Sequence, residues 1–278
     1  MNSRELLKQA ASELRQAGVP DPVYDSAALL SFVTGHPPLA LRLDDSFEPS
    51  ETQRDTFRNL MDRRKSREPL QYLLGTVSFR GLELLTEPGV LIPRPETELL
   101  AEWAEERLRG LMAPEILDLC CGSGCLGLSL KKALPDARVT LSDVSRDAIR
   151  LTRKNSERLG TDCEILQGDL FHPVAGRRFD CILSNPPYIP SAECGLLQEE
   201  VLREPRLALD GGEDGMDFYR RIAAEAPVHM KTTGLLMLEV GIREAEKTAD
   251  LMRECGAVRT EIREDMAGIP RMILAEYR

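Results

Sequence analysis

No Cys-x-x-Cys pair occurs in these 278 residues, and the three histidines, His36, His172 and His229, lie far from the one cysteine cluster, Cys120 and Cys121 with Cys125. The usual ligand spacing of a zinc site is therefore missing, and no metal is expected. With Cys163, Cys181, Cys194 and Cys255 the cysteines number seven, an odd count that suits buried thiols better than a disulfide framework. No stretch approaches the roughly 18 apolar residues that would cross a membrane. The amphipathic N-terminal pattern carries acidic residues and reads as a folded helix, not a signal peptide, so a cytoplasmic protein is expected. Positive charge is in deficit as well: 36 basic against 46 acidic residues leave a net charge of −10. Neutralising phosphates supplies most nucleic-acid affinity, so a dedicated grip on DNA or RNA is disfavoured. The local run Arg63-Arg64-Lys65 with Arg67 reads as a solvated helix end, with contact to RNA or an acidic partner as the alternative.

What is present has the balance of a folded protein, 42% hydrophobic and 29% charged, at a length that fits one large domain or two ordinary ones. Residues 1–75 carry three helical signals. Leu6, Leu7, Ala10, Ala11, Leu14 and Ala17 share one face. Asp21-Pro22 supplies an N-cap and a first-turn proline for a helix over Val23 to Thr34, which Gly35 ends. A third helix is expected from Ser50 to Arg67, with Phe57, Leu60 and Met61 inward. In residues 76–95 the period changes: two apolar runs flank a turn at Gly81, predicting a β-hairpin, and a proline-rich connector follows. From residue 96 to 278 helix and strand alternate. The strands are expected at Ile116–Leu119, Val139–Ser142, Glu164–Gln167, Phe179–Ser184, Leu235–Val240, Thr260–Glu264 and Met272–Tyr277. The last two leave no room for a helix between them and should pair antiparallel. Seven strands ending in a hairpin predict an α/β fold, the class I Rossmann-like methyltransferase sheet, preceded by a small helical bundle.

The strand Ile116 to Leu119 runs into Cys120-Cys121-Gly122-Ser123-Gly124 and then a helix. Glycines at such a turn let a ligand approach the backbone. Gly122, Gly124 and Gly127 match GxGxxG, and Asp143 follows 21 residues after Gly122, placed to hold two ribose hydroxyls. That pattern serves NAD and S-adenosylmethionine alike. Asp118 favours S-adenosylmethionine, because a carboxylate there meets the ammonium of a methionine moiety and would repel a pyrophosphate. Asp169, after the third strand, lies where many methyltransferases contact the adenine amino group.

Ser184-Asn185-Pro186-Pro187-Tyr188 follows the apolar run ending at Leu183, so a strand delivers Asn185 to the carboxyl edge of the sheet. The Asn185 side-chain oxygen and the Pro186 carbonyl suit the two N–H bonds of a planar amino group, and Tyr188 can pack on its face. An amide nitrogen has a delocalised lone pair, and two acceptors can turn that lone pair toward a sulfonium methyl. Such positioning supplies roughly 7–11 kcal/mol in favourable cases. Asn185 is an acceptor and not a base, so proton loss follows methyl transfer.

Asn-Pro-Pro-Tyr alone names a reaction before a substrate. Five segments occur in order: Arg67 to Gly75, Leu91 to Glu98, Ser184 to Tyr188, Arg203-Glu204-Pro205, and Gly211 to Gly215. Together they resemble the bacterial release-factor glutamine methyltransferases of the HemK/PrmC type over essentially the whole chain. The resemblance implies a protein substrate, the glutamine of the Gly-Gly-Gln loop in class I release factors, methylated on its side-chain nitrogen. It also implies that the N-terminal bundle helps hold the release factor while the hairpin orients the two domains. Nucleic acid would then be met only through the release factor, and a monomer is expected. The cofactor residues carried over are Cys120 to Gly124, Asp143 and Asn185, and the substrate loop is Asn185 to Tyr188. Many members have Gly-Thr where this chain has Cys120-Cys121. Many also carry an aromatic residue where Leu170 stands, which leaves adenine packing to Leu170 or Phe171. Arg94 reads as a domain-linking salt bridge or a substrate contact, and Glu204-Pro205 as a cover for the substrate or a brace for its loop. The rival readings are a ribosomal-protein glutamine methyltransferase, an adenine-N6 or guanine-N2 nucleic-acid enzyme, an idle cofactor-fold binding protein, and a nicotinamide dehydrogenase.

Overall fold

The computed structural model describes residues 2–44 and 46–278. The chain divides into two compact units, Met1–Thr76 with Gln198–Arg203 and Val77–Leu197 with Glu204–Arg278. The first unit is helical, with α1 (Ser3–Gln16), α2 (Pro22–Thr34), α3 (Pro38–Leu43), α4 (Glu51–Lys65) and α5 (Leu70–Leu74). The Asn2 side chain caps α1 by accepting the Glu5 N–H, and a Ser50/Gln53 capping box opens α4. Asp21 stands at the N-cap of α2 but makes no side-chain cap bond, so the Pro22 first turn carries that helix start alone. Leu14, Leu29, Leu30, Leu41, Phe57 and Met61 close the unit's core. The short helices α3 and α5 were not expected. Five or six residues are too few to show a hydrophobic period, although each follows a proline.

The Arg63–Arg67 run departs from a solvated helix end. Arg64 is buried, donating to Asp25 at 2.7 Å and to Glu200 at 2.8 Å. Arg67 forks onto both oxygens of Glu200 at 2.8 and 2.5 Å. The reason is the segment Gln198–Arg203, remote in sequence, which is part of this unit and brings the acceptor.

The second unit opens on a hairpin, β1 (Thr76–Phe79) and β2 (Leu82–Leu85). Arg80 and Gly81 both take left-handed backbone, φ 49° and 74°, the turn whose twist matches its strands. Then come α6 (Pro95–Leu108), β3 (Glu115–Leu119), α7 (Cys125–Ala133), β4 (Arg138–Asp143), α8 (Arg146–Leu159), β5 (Glu164–Gln167) and β6 (Phe179–Ser184). After a loop of short 3-10 turns follow α9 (Asp217–Glu225), β7 (Met230–Glu239), α10 (Ala245–Glu254), β8 (Arg259–Glu264) and β9 (Pro270–Glu276). The sheet runs β5-β4-β3-β6-β7-β9-β8, with β9 antiparallel to both neighbours and the rest parallel. Alternation sorts the strand residues into two cores. Ile116, Cys181, Leu183, Met237 and Leu274 face α6 and α7, joined by Phe79 and Leu84 of the hairpin. Leu117, Ile182, Leu236, Leu238 and Ile273 face α9 and α10. Among the described residues no helix is long and apolar enough to cross a membrane.

Candidate active site

The strand order reverses between β3 and β6, and open α/β sheets leave a crevice at the carboxyl ends of the strands where that happens. The register pairs Leu119 with Ser184, so the loops beginning at Cys120 and at Asn185 leave the sheet side by side. A cleft of about 830 Å³ opens there, lined by Asp118, Cys120 to Ser123, Asp143, Asn185 and Pro187. Two clusters far apart in sequence thus share one site, and residues 89–97 and 205–208 add further walls.

Asp118 is fully buried. Its Oδ2 accepts the Gly127 N–H at 2.8 Å, while Oδ1 has no partner. Burial pushes this carboxyl up to about 7, with the Asp143 charge adding to the rise and the Gly127 bond opposing it. A buried carboxylate oxygen without a donor is costly, and a cation arriving in the cleft would relieve it. That unmatched oxygen is the observation by which S-adenosylmethionine, with its ammonium group, fits this site. Gly127 itself has no room for a side chain, since an added Cβ would stand 2.8 Å from Leu141 and 3.1 Å from Asp118 Oδ2. The third glycine of the pattern therefore serves the approach of α7 to the sheet.

Asp143 accepts the Gly122 N–H at 2.9 Å and the Ser145 N–H at 2.8 Å. Burial raises its carboxyl, and those backbone donors hold it back. The loop is tied from behind by α8, whose Thr152 hydroxyl donates to the Gly122 carbonyl and whose Asn155 amide donates to the Ser123 carbonyl, both at 2.9 Å. Cys120 has left-handed backbone, φ 56°, a conformation in which a glycine would be at ease. Cys120, Cys121 and Cys125 are held well above the usual thiol range, burial first and the neighbouring carboxylates second. Such thiols stay protonated and are poor nucleophiles.

Not every residue expected here lines the cleft. Gly124 is the left-handed N-cap of α7, packed near Leu128 and Thr152. Asp169 is 43% exposed and accepts Arg221 at 2.5 Å. Leu170 and Phe171 are buried in the core facing α9 and α10, Phe171 stacked on His229. Near Asp143 the apolar wall is Val144 and Ala148 instead.

In the second cluster Asn185 lines the cleft, Pro186 and Pro187 are buried, and Tyr188 turns inward. Asn185 Nδ2 donates to Thr97 Oγ1 at 3.2 Å, and Thr97 Oγ1 donates to Glu239 Oε2 at 2.6 Å. The Tyr188 hydroxyl donates to Glu239 Oε1 at 3.4 Å and accepts from Arg271 at 3.2 Å. Burial pushes that hydroxyl up to about 12, with the Glu239 charge next. Burial also raises the Glu239 carboxyl, against the Thr97 bond and the Arg271 charge. Sequence reasoning missed Thr97, Glu239, Arg271, Thr152 and Asn155. An acid closing the apolar run Leu235 to Leu238 was a visible sign for Glu239 alone. Behind the loop, a Cβ on Gly211 would stand 2.7 Å from the Tyr188 backbone, so this glycine lets the Gly211–Gly215 strip brace the motif. Arg94 and Glu204 pair with each other at 2.5 Å, and Glu204 also accepts the Ile92 N–H at 2.9 Å. Glu204 thus ties its own segment to the one at residues 92–94.

A family described as PrmC N-terminal domain matches residues 5–75, and one described as Methyltransferase small domain matches residues 95–213. The chain is 41% identical to a release factor glutamine methyltransferase of Geobacter sulfurreducens, over 97% of this chain and 95% of that one. It is 39% identical to that of Deinococcus radiodurans, over 99% and 98%. Among solved structures, the catalytic domain of human Mettl16 has a TM-score of 0.59 at 16% identity, covering 78% of this chain and 82% of that one. A 16S rRNA N2 G1207 methyltransferase of T. thermophilus gives 0.55 at 21%, covering 73% and 50%. At such identities these two likenesses speak for the fold alone.

Proposed function

The chain belongs to the release factor glutamine methyltransferase family, and from that premise we propose how its residues divide the reaction. The enzyme transfers a methyl group from S-adenosylmethionine to the side-chain nitrogen of a release-factor glutamine. The acceptor we assign is the glutamine of the Gly-Gly-Gln loop in class I release factors. Bound S-adenosylmethionine supplies a sulfonium-activated methyl group. Asp118 would hold the ammonium end through its unpaired Oδ1 and Asp143 the ribose hydroxyls, with Cys120 to Ser123 as the wall along the methionine part. Asn185 Oδ1 and the Pro186 carbonyl accept the two amide N–H bonds of the substrate and turn the nitrogen lone pair toward the methyl. With that group bound, the methyl would pass from sulfur to the oriented nitrogen, and the amide proton so displaced would leave for solvent. The helical unit, residues 1–75, is assigned to holding the release factor, with 76–95 as connector and 96–278 as the catalytic domain.

One observation carries this reading: Asp118 with its orphaned oxygen and Asn185 with its amide line the same cleft, delivered by adjacent strands. The test is transfer of labelled methyl to purified release factor, beside a Gln→Ala variant of its Gly-Gly-Gln loop. Label is expected on the wild-type factor only. Asn185→Ala should abolish transfer yet weaken cofactor binding far less. Label on both factors, or undiminished turnover in Asn185→Ala, overturns the assignment.

A further inference from the structure

An asparagine that accepts from a substrate amide must present Oδ1 and not Nδ2, yet the two ends of its side chain have nearly the same shape. Something must decide between them. The Thr97 hydroxyl has one hydrogen, and it lies on the Glu239 carboxylate at 2.6 Å. With that hydrogen committed, Thr97 Oγ1 can only accept from its other neighbour, which is Asn185 at 3.2 Å. The donor end of the asparagine is thereby drawn to Thr97 and the acceptor end is left for the cleft. Both Thr97 and Glu239 are buried, 2% and 0% exposed.

Resting on the reading of Asn185 as substrate acceptor, we propose that Glu239, acting through the Thr97 hydroxyl, fixes the Asn185 amide in the one orientation that receives a substrate N–H. Thr97 and Glu239 are positioning residues. The same carboxylate holds the other end of the motif, because its Oε1 accepts the Tyr188 hydroxyl at 3.4 Å and lies 3.9 Å from Arg271. One acid at the end of β7 thus orders both the first and the last residue of Asn185-Pro186-Pro187-Tyr188. Only an acceptor at Oε2 makes the chain of hydrogen bonds run in this direction. In Glu239→Gln, the donors Arg271 and Tyr188 keep the amide oxygen on their side, and the new NH₂ faces Thr97. Thr97 must then donate to Asn185 Oδ1, which turns Nδ2 into the cleft, donor against donor.

Thr97→Val removes the hydroxyl at nearly constant shape, Thr97→Ser keeps it, and Glu239→Gln reverses it. Methyl transfer to release factor is measured for each, together with melting temperature and S-adenosylmethionine Kd. In Thr97→Val and Glu239→Gln, kcat is expected to fall by about 10–100-fold, with cofactor Kd and the KM for release factor little changed. Thr97→Ser is expected to restore the turnover that Thr97→Val loses. Turnover that follows melting temperature, with Ser no better than Val, overturns the proposal and leaves a packing role. Wild-type turnover in Glu239→Gln overturns it as well. If the unaltered enzyme labels no release factor, it is the substrate reading that fails, since the wild-type arm carries that test.

Discussion

At the scale of single residues, the site is organised by two buried carboxylates used in opposite ways. Glu239 has both oxygens engaged and lends direction to its neighbours. Asp118 keeps one oxygen unmatched, which is a place for a cation. Its carboxyl, raised from 3.8 to about 7, is protonated more readily in the folded chain than in the unfolded one. Its contribution to the stability of the free protein is therefore fully present below the unfolded pKa and is lost as pH rises through about 7. Cofactor binding has the reverse dependence, because the ammonium group prefers the ionised carboxylate. We expect S-adenosylmethionine Kd to fall roughly tenfold per pH unit below the carboxyl's pKa and to level off above it. Asp118→Asn should flatten that slope and weaken binding at alkaline pH. Calorimetric titration across the range decides it, and an unchanged slope in the variant would remove Asp118 from the cofactor site.

Among the elements, α8 does more than cover the sheet. Asn155, fully buried, donates to the Ser123 carbonyl at 2.9 Å, accepts the Leu85 N–H at 2.7 Å and reaches the Leu85 carbonyl at 3.3 Å. One amide thus joins the end of the β1–β2 hairpin to the loop after β3. The hairpin, expected as a connector, has Phe79 and Leu84 in the sheet's own core. Asn155→Leu takes this partner from one backbone donor, the Leu85 N–H, and from two backbone acceptors, the Ser123 and Leu85 carbonyls, so a loss of about 3 kcal/mol is expected. Chemical denaturation measures that loss, and cofactor Kd should rise with it. A variant as stable as the parent would show that the tether carries no load.

For the whole molecule, the order of the chain and the order of its packing differ. Gln198–Arg203 follows the reaction loop in sequence yet belongs to the helical unit. Its Glu200 meets Arg64 and Arg67. Burial would raise the Glu200 carboxyl, but hydrogen bonds from Arg67 and Arg64 outweigh it and bring it down to about 2. A depressed carboxyl contributes stability that is present above its unfolded pKa of 4.5 and lost as pH falls through about 2. Glu200→Gln should therefore cost about 2 kcal/mol near neutral pH. The difference from wild type should shrink toward zero as the medium is acidified. Melting curves at several pH values test this, and a pH-independent difference would mean that the charge of Glu200 is not what stabilises the unit.

Strand positions, the antiparallel last pair and the two loops that leave the sheet at Cys120 and at Asn185 were legible in the sequence, because each is written in local pattern. An apolar run has a period, a tight turn needs glycine, and an amide-binding loop needs its acceptor and prolines in succession. The enzyme family was legible in the same way, through motifs whose order the fold preserves. What pairs across the chain was not legible. Thr97 and Glu239 are 142 residues apart and Arg64 and Glu200 are 136 apart. Nothing in the neighbourhood of either residue names its partner. A threonine in a first helical turn looks like a helix start, an arginine run looks like a solvated surface, and Asn155 looks like any polar residue on an amphipathic helix. Only the closing of the sheet and the return of residues 198–203 bring donor to acceptor, since a hydrogen bond is fixed by distance and direction in space and leaves no period along the chain.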